Sequence, residues 1–228
     1  MIELVDVKKI YKKGKIDVSA LRGVTMQVEE GEFLSIMGPS GSGKTTLLNA
    51  IGLLDEPSSG TICLFGNEAS GLGRRDQARL RGTAIGFVFQ SFNLVSNLQA
   101  WQNVALPLRY AHVARADRRK RAIEALGLVG LQDRADHYPS ELSGGEEQRV
   151  AIARSLVIDP KLILADEPTG NLDSGSGNDV MKQFQLVNSL GTTLIVVTHD
   201  VLVSPYARRH LGMLDGRIES DEMAPSAN

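Results

Sequence analysis

Residues 33–45 read Phe33-Leu34-Ser35-Ile36-Met37-Gly38-Pro39-Ser40-Gly41-Ser42-Gly43-Lys44-Thr45. A short apolar run ends in a glycine-rich loop that fits G-x-x-x-x-G-K-[ST] at every fixed position. Its glycines let backbone N–H groups point into a concave anion nest. A helix expected from about Lys44 to Leu54 adds its positive N-terminal end. Lys44 can reach the β- and γ-phosphates of a nucleotide, and the Thr45 hydroxyl can bind Mg²⁺. A strand, a phosphate loop and a helix in that order predict an α/β fold.

The pattern continues on both sides. Ile2–Val7, Val24–Val28 and Thr61–Phe65 read as strands near the start, the last entered through the turn Pro57-Ser58-Ser59-Gly60. Pro57 blocks any further helix there. Ile85–Phe89, Leu162–Ala165, Thr193–Thr198 and His210–Leu214 are further short apolar runs, the mark of buried parallel strands. Helical patterns separate them, so the core should be a mostly parallel sheet. From Ser91 to about Leu142 strand signals stop and the chain reads as mostly helical. Within it, a helix over Asp117–Leu126 would carry Arg118, Arg119, Lys120 and Arg121 in its first turn, against its own dipole. Either the helix starts earlier, or the basic cluster faces solvent, an acidic partner or lipid headgroups.

A second chemical element follows the run Leu162-Ile163-Leu164-Ala165. Asp166 and Glu167 fall at the carboxyl end of a buried strand, where open α/β sheets bind ligands. One acid suits Mg²⁺ and the next suits a general base on an attacking water. Gln90 ends the strand Ile85–Phe89 and His199 ends Thr193–Thr198. At that sheet edge an amide can bind Mg²⁺ or the water, and an imidazole can reach a γ-phosphate. Each is also an ordinary strand-end residue.

Ser143-Gly144-Gly145-Glu146 fits the capping box, so a helix should begin here. Its two glycines leave backbone N–H groups uncovered at a positive helix end, a second anion site without a lysine of its own. An ordinary capped helix fits the same residues. Tyr11, between Ile10 and Lys12-Lys13, is either a base-stacking aromatic or an exposed turn tyrosine.

The 228 residues carry 25 basic and 27 acidic side chains, net −2, which gives no bulk attraction to nucleic acid. One cysteine, Cys63, allows no internal disulfide and fits a reducing compartment. The acidic N-terminus does not read as a signal peptide. No apolar run nears the ~20 residues that span a bilayer, so a cytoplasmic chain is expected, reaching a membrane through a partner.

Together these motifs resemble the ATP-binding-cassette ATPases, over essentially the whole chain and in the family's order. Gly38–Thr45 resembles the Walker A loop, Gln90 the Q-loop, Leu142–Glu146 the family signature, Leu162–Asp166 Walker B, Asn171-Leu172-Asp173 the D-loop and His199 the switch histidine. Glu146 stands where Gln is usual, a change the capping logic accepts. The resemblance implies a single cassette. Its RecA-like core with an antiparallel β subdomain would span 1–90 and 160–222, its helical subdomain 91–159, and a frayed tail 223–228. It implies ATP contacts from Tyr11, Gly38, Pro39, Ser40, Gly41, Ser42, Gly43, Lys44, Thr45, Thr46 and Gln90. Mg²⁺ would be held by Thr45, Gln90 and Asp166. Glu167, His199 and Lys44 would be catalytic.

In the family two subunits pack head to tail, which implies a homodimer. Ser143, Gly144, Gly145 and Glu146 would then cover the partner's ATP, and Asp173 would lie at the seam. Pro168–Asp173, Gln90–Leu94 and Asn103–Leu108 are similar to the ATPases of lipoprotein-release, macrolide-export and cell-division membrane complexes. That implies integral membrane permease subunits as partners, in an exporter or extractor or in a signalling complex. A docking surface is expected between Ser91 and Tyr110, where Phe92, Leu94, Leu98 and Trp101 are either apolar surface or core. Gly175 and Gly177 each cost about 1 kcal/mol in a helix interior, so the helix after Asp173 is expected to begin late or fray. A soluble cassette of DNA repair or translation would need a coiled-coil insertion or a second cassette. A simple kinase has no use for residues 142–146.

Overall fold

A computed structural model describes residues 1–14 and 16–224. Its centre is a six-stranded sheet in the order β10-β9-β3-β8-β7-β6. Strands β3 (Phe33–Met37), β6 (Ile85–Phe89), β7 (Leu162–Asp166), β8 (Thr193–Thr198) and β9 (Arg209–Leu214) run parallel, and β10 (Arg217–Met223) returns antiparallel to β9. The apolar runs are continuous because this sheet is covered on both faces. Ile163, Ala165, Leu194 and Val196 enter one core, whereas Leu162, Leu164, Ile195 and Val197 enter the other. Successive side chains of a strand point to opposite faces, so two cores demand apolar residues at every position.

The first core lies under the helices α3 (Ala100–Val104), α4 (Leu106–Tyr110), α5 (Arg115–Leu128), α6 (Gly144–Leu156) and α7 (Ser174–Ser189). The second lies between α1 (Lys44–Ile51) and a four-stranded antiparallel sheet. That sheet has the order β2-β1-β4-β5, from β1 (Ile2–Lys13), β2 (Ile16–Val28), β4 (Ser59–Leu64) and β5 (Asn67–Glu68).

Several expectations need correction. Helix α1 ends at Ile51, short of Leu54. The strands β1 and β2 extend into a long hairpin, because Lys8–Lys13 keep pairing with Ile16–Arg22. Helix α5 starts at Arg115, the earlier start that the sequence left open, which puts Asp117 in its first turn where the dipole favours an acid. Its basic residues find acids of this same chain: Arg119 with Asp136 at 3.1 Å and Arg121 with Asp159 at 2.8 Å.

Helix α7 begins at once after Asp173, whose Oδ1 accepts the N–H groups of Gly175 and Ser176 at 3.0 Å each. Gly177 is buried near Thr169 and Leu202, where a Cβ would make only ordinary contacts at 3.6 Å. The proposed tail starts too early: Met223 closes β10 and the Ala224 N–H donates to Arg208. The rest of that tail, 225–228, lies outside the described residues. Helix α2 (Arg74–Ala84) and strand β10 have no counterpart in the sequence reading.

Candidate active site

The phosphate loop joins β3 to α1. Gly43 caps the helix with φ of 102°, and a Cβ there would meet the Ala20 carbonyl oxygen at 2.5 Å. Only glycine takes that backbone shape at so close an approach. The Lys44 ammonium donates to the carbonyls of Gly38 at 2.7 Å and Pro39 at 3.0 Å. It is 6% exposed, so the loop wraps it. An ammonium has three protons to donate, and these two bonds leave one free.

One cleft is lined by Ser40, Gly41, Gly43, Lys44, Thr45 and Thr46 from the loop and α1, and by Gln90, Glu167 and His199 from three other strand ends. The topology brings them together because β6, β7 and β8 are adjacent parallel strands whose carboxyl ends share an edge. Thr45 Oγ1 donates to Asp166 Oδ1 at 3.2 Å. Burial first, and then the neighbouring Glu167 carboxylate, push Asp166 above the usual carboxylate range, against the opposing effects of Thr45 and Lys44. A carboxylate held there favours a bound cation.

Glu167 stands in left-handed backbone, φ 47°. For a residue with a Cβ this conformation costs about 1–3 kcal/mol and persists only where surroundings hold it. Here they do. Its N–H donates to Val197 O at 2.9 Å, its carbonyl accepts from Gly170 N at 3.1 Å, and its Oε2 accepts from the Thr198 hydroxyl at 2.8 Å. Its Oε1 accepts from His199 Nδ1 at 2.9 Å. The Gln90 amide donates to Asn171 Oδ1 at 3.3 Å, and Asn171 Nδ2 donates back to the Gln90 carbonyl at 2.9 Å.

The signature residues sit elsewhere. Ser143 caps α6: its Oγ accepts the Glu146 N–H at 3.3 Å, and Glu146 Oε2 accepts the Ser143 N–H at 2.8 Å. The Ser143 hydrogen bonds, with Arg134 and Arg149 nearby, hold the Glu146 carboxyl below its ordinary value. None of Ser143, Gly144, Gly145 or Glu146 lines the cleft that holds Lys44 and Glu167. Asp173 is the cap of α7, its Oδ2 also accepting from Ser176 Oγ at 2.7 Å.

Tyr11 lies within β1, not in a turn, and also stands outside the cleft lining. Its hydroxyl donates to Asp55 Oδ2 at 2.6 Å, and Lys9, not Lys12, places its ammonium 5.0 Å from the ring centroid. Lys9 also pairs with Asp55. Burial and then Asp55 push the Tyr11 phenol up. Asp55 and Thr198 escaped the sequence reading. Thr198 adjoins His199 on a strand end already singled out, so its position was a usable signal, whereas nothing local marked Asp55.

The expected docking residues divide. Leu94 and Trp101 pack half-buried against the helical core, and Phe92 and Leu98 are half-buried as well. A separate apolar groove of about 530 Å³ runs between core and helices, walled by Leu54, Phe87, Leu106, Pro107 and Tyr110 with Arg154 at its base. Leu54 and Tyr110 are 48% and 75% exposed, so this surface is open.

The comparisons agree with this geometry. The model of a family described as ABC transporter matches residues 21–170. An uncharacterized ABC transporter ATP-binding protein of Thermotoga maritima is 51% identical over 222 residues, 97% of this chain and 95% of that protein. The macrolide export ATP-binding/permease protein MacB of Chlorobium phaeobacteroides is 49% identical over 222 residues, and this chain spans 34% of its length. Among solved structures, the dimeric post-hydrolysis state of the cassette MJ0796, bound to ADP and Pi, superposes with a TM-score of 0.91 at 43% identity, covering 100% of both chains. The chain belongs to the ABC transporter family, as one of its ATPase cassettes.

Proposed function

We propose that two copies of this chain close head to tail around two ATP molecules, hydrolyse them, and thereby move transmembrane partner subunits of an exporter or of a lipoprotein- or lipid-extracting complex. One observation carries the reading. The serine-capped tip of α6 has the form of an anion site, yet it does not line the cleft of its own chain. The first N–H groups of a helix have no partner within it, and a phosphate held by a second copy would supply one. MJ0796, similar over its whole length, is dimeric with ADP and Pi. MacB relatives carry a permease in the same name.

In this reading the core, 1–90 and 160–222, holds the nucleotide, and 91–159 presents Ser143, Gly144, Gly145 and Glu146 to the other subunit's ATP. Tyr11 stacks on adenine. Gly38, Pro39, Ser40, Gly41, Ser42 and Gly43 wrap the phosphates with Thr46, and Lys44 offsets the charge that develops on the transferred phosphoryl group. Glu167 takes the proton of the attacking water, and His199, 68% exposed over a carboxylate 16% exposed, closes that side of the site. Asp173 lies at the seam.

The donors fit Mg²⁺: the Thr45 hydroxyl and Asp166 carboxylate already touch, Gln90 lines the same cleft as Thr45, and burial of Asp166 favours a cation. Bound there with ATP, the ion would supply charge neutralisation between the β- and γ-phosphates. Among the described residues no helix is long and apolar enough to cross a membrane. The chain would sit on the inner face of the membrane through its partners, which dock over Ser91–Tyr110 and the groove at Leu54, Leu106 and Tyr110.

The test is affinity purification from solubilised membranes with the Glu167→Gln chain and ATP. Membrane subunits should come with it, and an exported molecule or lipoprotein in the complex would favour transport over signalling. Recovery of the chain alone would remove the transporter reading and leave the cassette chemistry standing.

A further inference from the structure

Gln148 is fully buried on α6, two residues after the signature, and its Nε2 donates to the carbonyl of Pro168 at 2.6 Å. Pro168 follows Glu167, so this bond grips the Pro168–Thr169 peptide, one residue beyond the left-handed Glu167. The bonds on Glu167 itself come from β8, from His199 just after it and from its own turn: Val197 O, Thr198 Oγ1, the His199 N–H and Nδ1, and Gly170 N. Gln148 ties the segment just after the base to the helix whose tip is the signature. The same helix is seated close to α7, since a Cβ on Gly145 would meet Ser176 Cβ at 3.0 Å. One helix thus carries both Ser143 at its tip and the bond to the Pro168 carbonyl.

We infer that Gln148 is a positioning residue for Glu167, which makes the aim of one ATP's base depend on how the α6 tip of the same chain is seated on the other ATP. This rests on Glu167 as base and on the closed dimer. The Gln148 Oε1 has no hydrogen-bond partner among the described residues, so the side chain is fixed through its amide N–H₂. A substitution that removes the donor and keeps the volume isolates that one bond.

Gln148→Met does so. In the full chain it should lower kcat by roughly tenfold to a hundredfold, the range that misplacing a catalytic group by about 1 Å produces. KM for ATP should hold, and so should ATP-dependent dimerisation when the change is combined with Glu167→Gln. Gln148→Glu adds a readout that packing alone does not move. A carboxyl so buried titrates above its ordinary value. Protonated, it donates to Pro168 O; ionised, it repels that oxygen. Its kcat should therefore fall with rising pH more steeply than that of the unaltered chain, approaching the Met variant at the alkaline end. The inference is overturned if either folded variant keeps full kcat at every pH, if the two variants lose activity equally at every pH, or if KM and dimerisation fail together with kcat. A normal Gln148→Met beside an inactive Glu167→Gln sinks the linkage alone. An active Glu167→Gln sinks the reading beneath it.

Discussion

His199 Nδ1 lies 2.9 Å from Glu167 Oε1, and its backbone N–H lies 3.3 Å from Oε2. With Thr198 Oγ1 also on Oε2 at 2.8 Å, three of the carboxylate's acceptor sites are filled from the end of β8. One acceptor site on Oε1 stays open to a water, and the exposed ring of His199 is the donor freest to move aside for it. The pair thus reads as a resting arrangement of the base. Substituting Glu167→Gln keeps the shape and removes the basicity. ATP binding should persist, turnover should drop by about 10²- to 10⁴-fold, and a stable ATP-dependent dimer should accumulate. Light scattering at saturating Mg-ATP reads the outcome, and a species that stays monomeric there refutes the sandwich or the base.

Tyr11 is placed by Asp55, which lies 44 residues away and is itself held by Lys9. The anchor fixes the ring before any nucleotide arrives. Asp55→Ala should raise KM for ATP roughly five- to thirtyfold, the worth of about 1–2 kcal/mol, with kcat unchanged. Steady-state ATPase kinetics beside Tyr11→Ala decide the matter. An unaffected KM in Asp55→Ala, alongside a raised one in Tyr11→Ala, shows that the anchor is dispensable.

The parts legible in the sequence are those where local pattern and burial coincide. Strands β3, β7 and β8 are buried on both faces and so read as unbroken apolar runs ending in Gly38, Asp166 and His199. Ser143 and Glu146 announced α6 because a capping box closes within four residues. Helix α2 escaped because Gln77 is its only buried residue, leaving no apolar stripe to detect. Strand β10 escaped as a polar edge strand, Arg-Ile-Glu-Ser-Asp-Glu-Met, whose partner β9 supplies the register. Gly175 and Gly177 misled because helix propensity is a weak prior; the Asp173 cap outweighs it. Asp55 and Gln148 act through bonds to distant segments, and no local pattern encodes such a bond.

Trp101 takes the core role, one of the two that the sequence left as alternatives. Its ring packs half-buried on the helical core, its Nε1 donates to Gln99 Oε1 at 2.9 Å, and the Arg119 guanidinium lies 5.4 Å from its centroid. Trp101→Ala should lower stability by about 2 kcal/mol, or roughly 4–8 °C in Tm for a chain of this size. Basal ATPase of the folded chain should survive, while stimulation by the membrane partner is lost. Calorimetry and reconstituted ATPase assays separate the two effects. Full retention of partner stimulation removes Trp101 from the docking surface.

Glu146 gives the capping box an acid where an amide would also close it. Its folded carboxyl titrates below the ordinary value of 4.5, because ionised Glu146 accepts from Ser143 and faces Arg134 at 3.5 Å. A depressed carboxyl binds fewer protons folded than unfolded, so stability rises with pH across that interval. The contribution is complete above pH 4.5 and is lost as pH falls through the lower folded value. Gln cannot titrate but can accept the same Ser143 N–H bond through its side-chain oxygen. Glu146→Gln should therefore match the unaltered chain in ATPase, sit slightly below it in Tm near neutrality for want of the charge, and lose less stability than it does on acidification below pH 4.5. Urea unfolding at a series of pH values gives the slopes. Parallel curves for the two chains would show that the box contributes nothing through its charge.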